Sequence, residues 1–123
     1  MFFNRKISNL EKAIAQHNSE GIRLAVKPVI PFLGHPDYKT LWCAINVLVK
    51  SGEPAVEPLI ASLRARSSKL RRFAALTLGK LGNARAVETL IATLKDQDKW
   101  VRGSAAKAPG QLEDARATGT VDR

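Results

Sequence analysis

The chain has 123 residues, 45% of them hydrophobic and 25% charged, the composition of one globular domain without a low-complexity tract. Its formal net charge of +9 is high for this size and directs attention to an acidic partner or surface. A single cysteine, Cys43, excludes an internal disulfide framework and fits a reducing compartment. No apolar run approaches the ~20 residues that span a bilayer, so no membrane role is expected.

From the N-terminus, Met1-Phe2-Phe3-Asn4-Arg5-Lys6 has no apolar stretch behind its basic residues, so no secretory signal is expected and the cytoplasm is the default location. Residues 1–20 read as an N-terminal capping helix. Ser8-Asn9-Leu10-Glu11 has the spacing of a capping box, and Ile7, Leu10 and Ile14 supply an apolar face.

The remainder is repetitive. Shifted by 31 residues, Ala55–Leu63 meets Ala86–Leu94, and Arg71, Ala74, Ala75, Gly79 and Leu81 meet Arg102, Ala105, Ala106, Gly110 and Leu112. Residues 55–85 show 14 identities in 31 positions against 86–116. A fainter copy lies upstream at an offset of 30, where Ala25, Val26, Pro28, Ile30, Leu33, Lys39, Ala44, Leu48, Lys50 and Gly52 find their equivalents. The units are about 22–52, 53–82 and 83–113, within a repeat region of 21–113. Three is about the minimum for a stack, because each unit needs a neighbour to cover its apolar face.

Each unit reads as two helices. Val56, Leu59, Ile60 and Leu63 fall at i, i+3, i+4, i+7. Ser67-Ser68 breaks the pattern and offers an N-cap. Leu70, Ala74, Leu78 and Leu81 form a second stripe, and Gly82 supplies a left-handed stop. Pro54 suits a first helical turn, and Pro36, after His35, is assigned the same role. Pro109 stands where Leu48 and Leu78 stand, so the last helix is expected to stop or kink near Ala108. Residues 114–123 begin a fourth unit at Asp114-Ala115-Arg116-Ala117, then abandon it in what is expected to be a disordered tail. The fold class is all-α, a right-handed superhelix of about three helical hairpins plus an N-terminal helix.

Three stretches carry a family resemblance: Ala86–Leu94, Asp98-Lys99-Trp100-Val101-Arg102-Gly103-Ser104-Ala105-Ala106, and the junction Leu81-Gly82-Asn83-Ala84-Arg85-Ala86. They resemble the short HEAT-like repeats of the phycobilisome-lyase type, over roughly residues 22–117. The resemblance implies an armadillo-like α-solenoid whose second helices line the concave side. It says little about function, because the motif encodes stacking. It also implies that Arg71 and Arg102 form a structural ladder with aspartates at the inter-helix turns. Asp98 lies four residues before Arg102, a workable pair. Ser67 lies four before Arg71, leaving Arg71 for a ligand.

On that registry the concave stripe contains Lys39, Lys69 and Trp100; Trp42, Arg72 and Gly103; Asn46, Leu76 and Lys107; and Lys50, Lys80 and Gln111. Lys39, Trp42, Lys69, Arg72, Lys80, Trp100 and Lys107 are the candidate partner-binding residues, with partial burial at a repeat junction the plainer role for each tryptophan. Between Glu57 and Glu88 there is no acidic residue, yet Arg64, Arg66, Lys69, Arg71, Arg72, Lys80 and Arg85 lie there. The alternative to a binding field is simple solubilisation.

His17, His35, Asp37 and Cys43 are the metal or nucleophile candidates, but none has a ligand-pair spacing, and Cys43 reads as a packed small residue. No catalytic residue, metal or cofactor is assigned. The expected role is a non-catalytic scaffold for a protein partner. Nucleic acid on the same basic face is one alternative. Membership of a bilin-lyase-type enzyme is another. Homodimerisation through an uncapped C-terminal end is a further expectation.

Overall fold

The computed structural model describes residues 4–117, with side-chain surroundings for 4–108. Within them lie seven α-helices and no strand: α1 (Arg5–Ala15), α2 (Ser19–Val29), α3 (Tyr38–Ser51), α4 (Val56–Ser62), α5 (Ser68–Leu81), α6 (Val87–Thr93) and α7 (Lys99–Ala117). Short 3₁₀ turns at Ile30–Gly34, Glu53–Ala55 and Ala84–Ala86 extend α2 and open α4 and α6. The chain is a helical solenoid in which α2–α3, α4–α5 and α6–α7 are successive hairpins and α1 packs on α2 and α3.

Helix starts follow local chemistry. Asn4 caps α1 by accepting from the Lys6 and Ile7 amides at 2.9 and 3.3 Å. Ser8, read from the sequence as the cap, lies inside the helix, because Asn4 satisfies the orphan amides one turn earlier. Asn18 caps α2, and Asp37 caps α3 through the Thr40 amide. Pro36 precedes that cap and does not hold the first helical position expected of it. Ser67 caps α5 as expected, accepting from Leu70 N at 3.2 Å. Gly82 ends it with φ 68°, a left-handed conformation that glycine adopts without a Cβ penalty.

The apolar stripes meet in one core. Ile7 and Leu10 from α1 join Val26, Leu33, Leu41, Ile45, Leu48, Val56, Leu59, Ala74, Leu78 and Leu90. Buried hydroxyls in this core are satisfied within their own helices: Ser51 and Thr77 donate to the carbonyls four residues back, at 2.8 and 2.6 Å.

Of the stop or kink expected near Ala108 the stop is absent, since the last helix runs through Pro109 to Ala117. Pro109 cannot donate to the Ala105 carbonyl, so one helical bond is absent. The helix is anchored before that point by buried Val101, Ala105 and Ala108, and the residues after Gly110 are mostly good helix formers. Residues 114–117 therefore continue α7 rather than opening a further hairpin. The remainder of the expected tail, 118–123, lies outside the described residues.

Consecutive hairpins are tied by one buried ion pair. Arg71 on α5 is 9% exposed, and its Nε and Nη2 meet Asp96 Oδ2 and Oδ1 at 2.8 and 3.1 Å. Its Nη1 donates to the carbonyls of Ala65 and Arg66 at 2.7 and 3.0 Å. Arg71 is thus fully engaged and not left for a ligand. Its carboxylate is Asp96 of the next repeat, not a residue four positions earlier. Asp98 caps α7, accepting from Trp100 N and Val101 N, while Arg102 reaches the Asp96 carbonyl, so the expected Asp98–Arg102 pair is not formed.

Burial alone would raise the Asp96 pKa, but hydrogen bonds from Arg71 and the Asp98 amide, with the charges of Arg71 and Arg102, hold it below the ordinary 3.8. A carboxyl whose folded pKa is depressed contributes stability that is present above its unfolded pKa and lost as pH falls through the folded one. Asp96→Asn should lower stability near neutral pH by about 3 kcal/mol, the lower end for breaking a buried pair. Thermal unfolding followed by circular dichroism would check this, and the difference from the parent chain should shrink as pH drops from 5 toward 2.

Candidate functional site

The second helices α3, α5 and α7 form one layer of the solenoid and the first helices the other. α5 packs along α7 extensively and also meets α3, so the three second helices are neighbours in one layer. The two layers differ sharply in charge. Over 38–51, 68–81 and 99–108 the second helices contain Lys39, Lys50, Lys69, Arg71, Arg72, Lys80, Lys99, Arg102 and Lys107 and no acidic residue. Glu20, Glu57 and Glu88 sit on the first helices.

Two of the seven cations counted as uncompensated in the sequence are neutralised locally. Arg71 is held by Asp96, and Arg85 pairs with both Glu53 and Glu57 across the repeat junction, where Asn83 Nδ2 also donates to Glu53 Oε1 at 2.6 Å. No such ion pair forms at Lys39, Lys50, Lys69, Arg72, Lys80 or Lys107 among the described residues. The surviving field is therefore concentrated on the second-helix layer, with Arg64 and Arg66 near its rim.

Within that layer an alternation of rings and cations crosses all three helices. Trp42 on α3 meets the edge of Phe73 on α5, with ring centroids 6.3 Å apart and planes at 77°. The Arg72 guanidinium lies 4.8 Å from the Phe73 ring and 5.2 Å from that of Trp100 on α7. Lys99 covers the same indole at 5.4 Å. A parallel contact joins α3 and α5, where Lys69 Nζ stands 5.3 Å from the Tyr38 ring and donates to the His35 carbonyl at 2.7 Å. Such contacts hold long cationic side chains in place without neutralising them.

Of the residues assigned from the sequence, Trp42, Arg72 and Trp100 are brought together by this ladder, and Lys69 lies beside it. Lys39, Lys80 and Lys107 are exposed on the same layer without touching it. Both tryptophans keep surface open to solvent, Trp42 at 41% and Trp100 at 58%, while each also packs at a repeat junction, Trp42 on Phe73 and Trp100 under Arg72. Lys50 and Lys80 flank a groove of about 610 Å³ between the C-terminal ends of α3 and α5, floored by Val49, Gly79 and Leu81. The concave registry of Gln111 falls where side chains are not described.

Sequence reasoning missed Phe73, Tyr38, Lys99 and Asp96. Phe73 sits one position from Arg72, and only the packing of α5 on α3 and α7 shows that it meets Trp42 and, through Arg72, links to Trp100. Cys43, expected to be packed, is exposed on α3 beside Trp42, because the stripe of Leu41, Ala44, Ile45 and Leu48 turns it outward. His35 is structural: its Nδ1 accepts from the Asp37 amide at 3.0 Å and its ring leans on Phe32. Hydrogen bonds from the Thr40 hydroxyl and amide hold the Asp37 carboxyl below the usual range, against a small opposing effect of burial and with help from His35. Among the described residues no group of three or more His, Cys, Asp and Glu could hold a metal, and no helix is long and apolar enough to cross a membrane.

The family model for HEAT repeats matches residues 56–120, more than half of the chain. No curated protein matches it.

The ladder predicts two observables. In a Trp42→Phe background, Arg72→Ala should increase acrylamide quenching of Trp100 by uncovering one face of the indole. Cys43 should react fully with a thiol reagent in the absence of denaturant, and protection until unfolding would contradict its placement.

Proposed function

This chain belongs to the HEAT-repeat family, and we propose that it is a non-catalytic scaffold whose second-helix layer binds an acidic segment of a partner protein. HEAT repeats are helical scaffolds often used for protein interaction. What supports the finer reading is the charge division between layers. Six cations without an ion pair among the described residues, and no acidic residue over 38–51, 68–81 and 99–108, attract an anionic chain across the three second helices. Trp42, Trp100 and Tyr38 add apolar surface that favours a segment with interspersed hydrophobic residues over a bare polyanion. Arg72, already aligned by two rings, loses little freedom on binding.

Single-stranded nucleic acid is the second reading, favoured by the exposed rings of Trp42 and Trp100 beside cations, on which bases can stack. Salt separates the two. Phosphate neutralisation releases counterions and gives a log–log slope of roughly 0.7 per contact for single strands. The phycobilisome-lyase subtype rests on the 31-residue period and the Leu81–Ala86 junction. An absorbance change on adding a bilin would bring that enzyme-associated role forward.

For the main reading, a fluorescent peptide rich in Asp and Glu with spaced Leu or Phe should bind saturably. Arg72→Glu with Lys80→Glu should weaken it by about tenfold or more, that is at least 1.4 kcal/mol, at unchanged helicity. Equal affinity for parent and variant in fluorescence anisotropy would remove the second-helix layer as the binding face.

A further inference from the structure

On the first-helix layer, a groove of about 690 Å³ runs between α2 and α4, with Leu24, Pro54, Pro58 and Ala61 as its apolar lining. Leu24 is 68% exposed, the most of any large hydrophobic side chain among the described residues. It also borders the groove between α1 and α2, so it stands on a ridge of α2 with a groove on either side. A ridge and a hole therefore lie side by side on one face.

The walls of the α2–α4 groove carry opposite charge at equivalent positions. At the 30-residue offset relating the first two repeats, Arg23 and Lys27 stand where Glu53 and Glu57 stand in the next. No ion pair bridges these walls among the described residues. Arg23 meets Glu20 of its own helix at 3.7 Å, with both side chains largely exposed, a pair worth little. Glu53 and Glu57 share the single guanidinium of Arg85, so that wall keeps an excess of negative charge. With Glu20 and Arg85 included, the face holds three acids and three bases. The charged residues of the second helices over 38–51, 68–81 and 99–108 are all cations.

We infer that this face docks a second copy of the chain, related to the first by a two-fold axis through the groove. Such an axis turns the α2 wall of one copy onto the α4 wall of the other and sets the facing helices antiparallel. Arg23 then faces Glu57 of the second copy and Lys27 faces Glu53 of the second copy, each contact occurring twice. Leu24 of each copy enters the other's groove over Pro54, Pro58 and Ala61, which removes its exposed surface from water. Charge complementarity selects this occupant: a uniformly acidic or basic segment satisfies one wall and is repelled by the other. The net charge of +9 opposes self-association elsewhere, and copies meeting at this balanced face repel least. α2 and α4 are only 11 and 7 residues long, so the contact is small and the dimer concentration-dependent. The second-helix layer stays outside the interface, and the dimer is independent of the role proposed for that layer.

Sedimentation equilibrium of the whole chain tests this. The mass should rise with concentration from 13.4 kDa toward that of a dimer, well below about 1 mM. Leu24→Glu, at a position too exposed to matter for folding, should weaken association about tenfold or more at unchanged circular dichroism. Arg23→Glu and Glu57→Lys should each do the same, because two-fold symmetry places two like-charge contacts in the interface. Mixed in equal amounts, those two charge variants should associate about as tightly as the parent, since every contact of the heterodimer again joins opposite charges. A parent chain still monomeric at about 1 mM, association indifferent to any of the three substitutions, or charge variants that stay apart on mixing would each overturn the proposal.

Discussion

The pairing of Arg71 with Asp96 fixes how one hairpin sits on the next. A guanidinium in a nearly buried position needs partners for its donors, and Arg71 makes four hydrogen bonds, two to carbonyls of its own repeat and two to the carboxylate oxygens of the following one. The contact is directional in a way that leucine packing is not. It sets the rotation of α6–α7 against α4–α5, and that rotation brings Trp100 over Arg72 one position along the helix. The recognition layer is in this sense a consequence of the junction. Moving the third hairpin by a residue would separate the indole from the guanidinium and open the aromatic line.

The division of charge between layers has a related origin. Each repeat needs its second helix to be flanked on both sides, so the positions free for charge on α3, α5 and α7 form a single narrow stripe per helix. Lysine and arginine in those stripes over 38–51, 68–81 and 99–108 create an unbroken field, while Glu20, Glu57 and Glu88 lie on the first helices and further acids in the turns. There they are used structurally: Glu53 and Glu57 take up Arg85, and Asp37 and Asp98 cap helices. Long cationic side chains on adjacent helices repel, and the rings of Tyr38, Phe73 and Trp100 give Lys69, Arg72 and Lys99 somewhere to rest.

The solenoid was legible in the sequence because stacking is written locally. The i, i+3, i+4, i+7 stripe from Val56, the cap at Ser67 and the stop at Gly82 each depend on neighbours within a turn or two, and the 31-residue identity ties the units together. What was not legible depends on contacts between repeats. Asp96 lies 25 residues from Arg71, and a search for a partner within one helical turn pointed instead to Asp98. Cys43 reads as packed but is exposed, because a rotation of a few tens of degrees about a helix axis decides between core and surface. Pro109 reads locally as a stop or a kink, whereas a helix anchored by Val101, Ala105 and Ala108 continues past it with one bond missing. The candidate stripe, by contrast, followed from registry alone, and its members Trp42, Arg72 and Trp100 do share one face.

The most direct measurement is an amide and indole NMR titration of the 123-residue chain with an acidic, Leu- and Phe-containing peptide at moderate salt. The account predicts that shifts concentrate on the outward stripes of α3, α5 and α7, with the Trp42 and Trp100 indole Nε1 signals moving together and saturating at one concentration. Perturbations confined to α4 and α6, or indole signals that stay in place while the peptide binds, would contradict it.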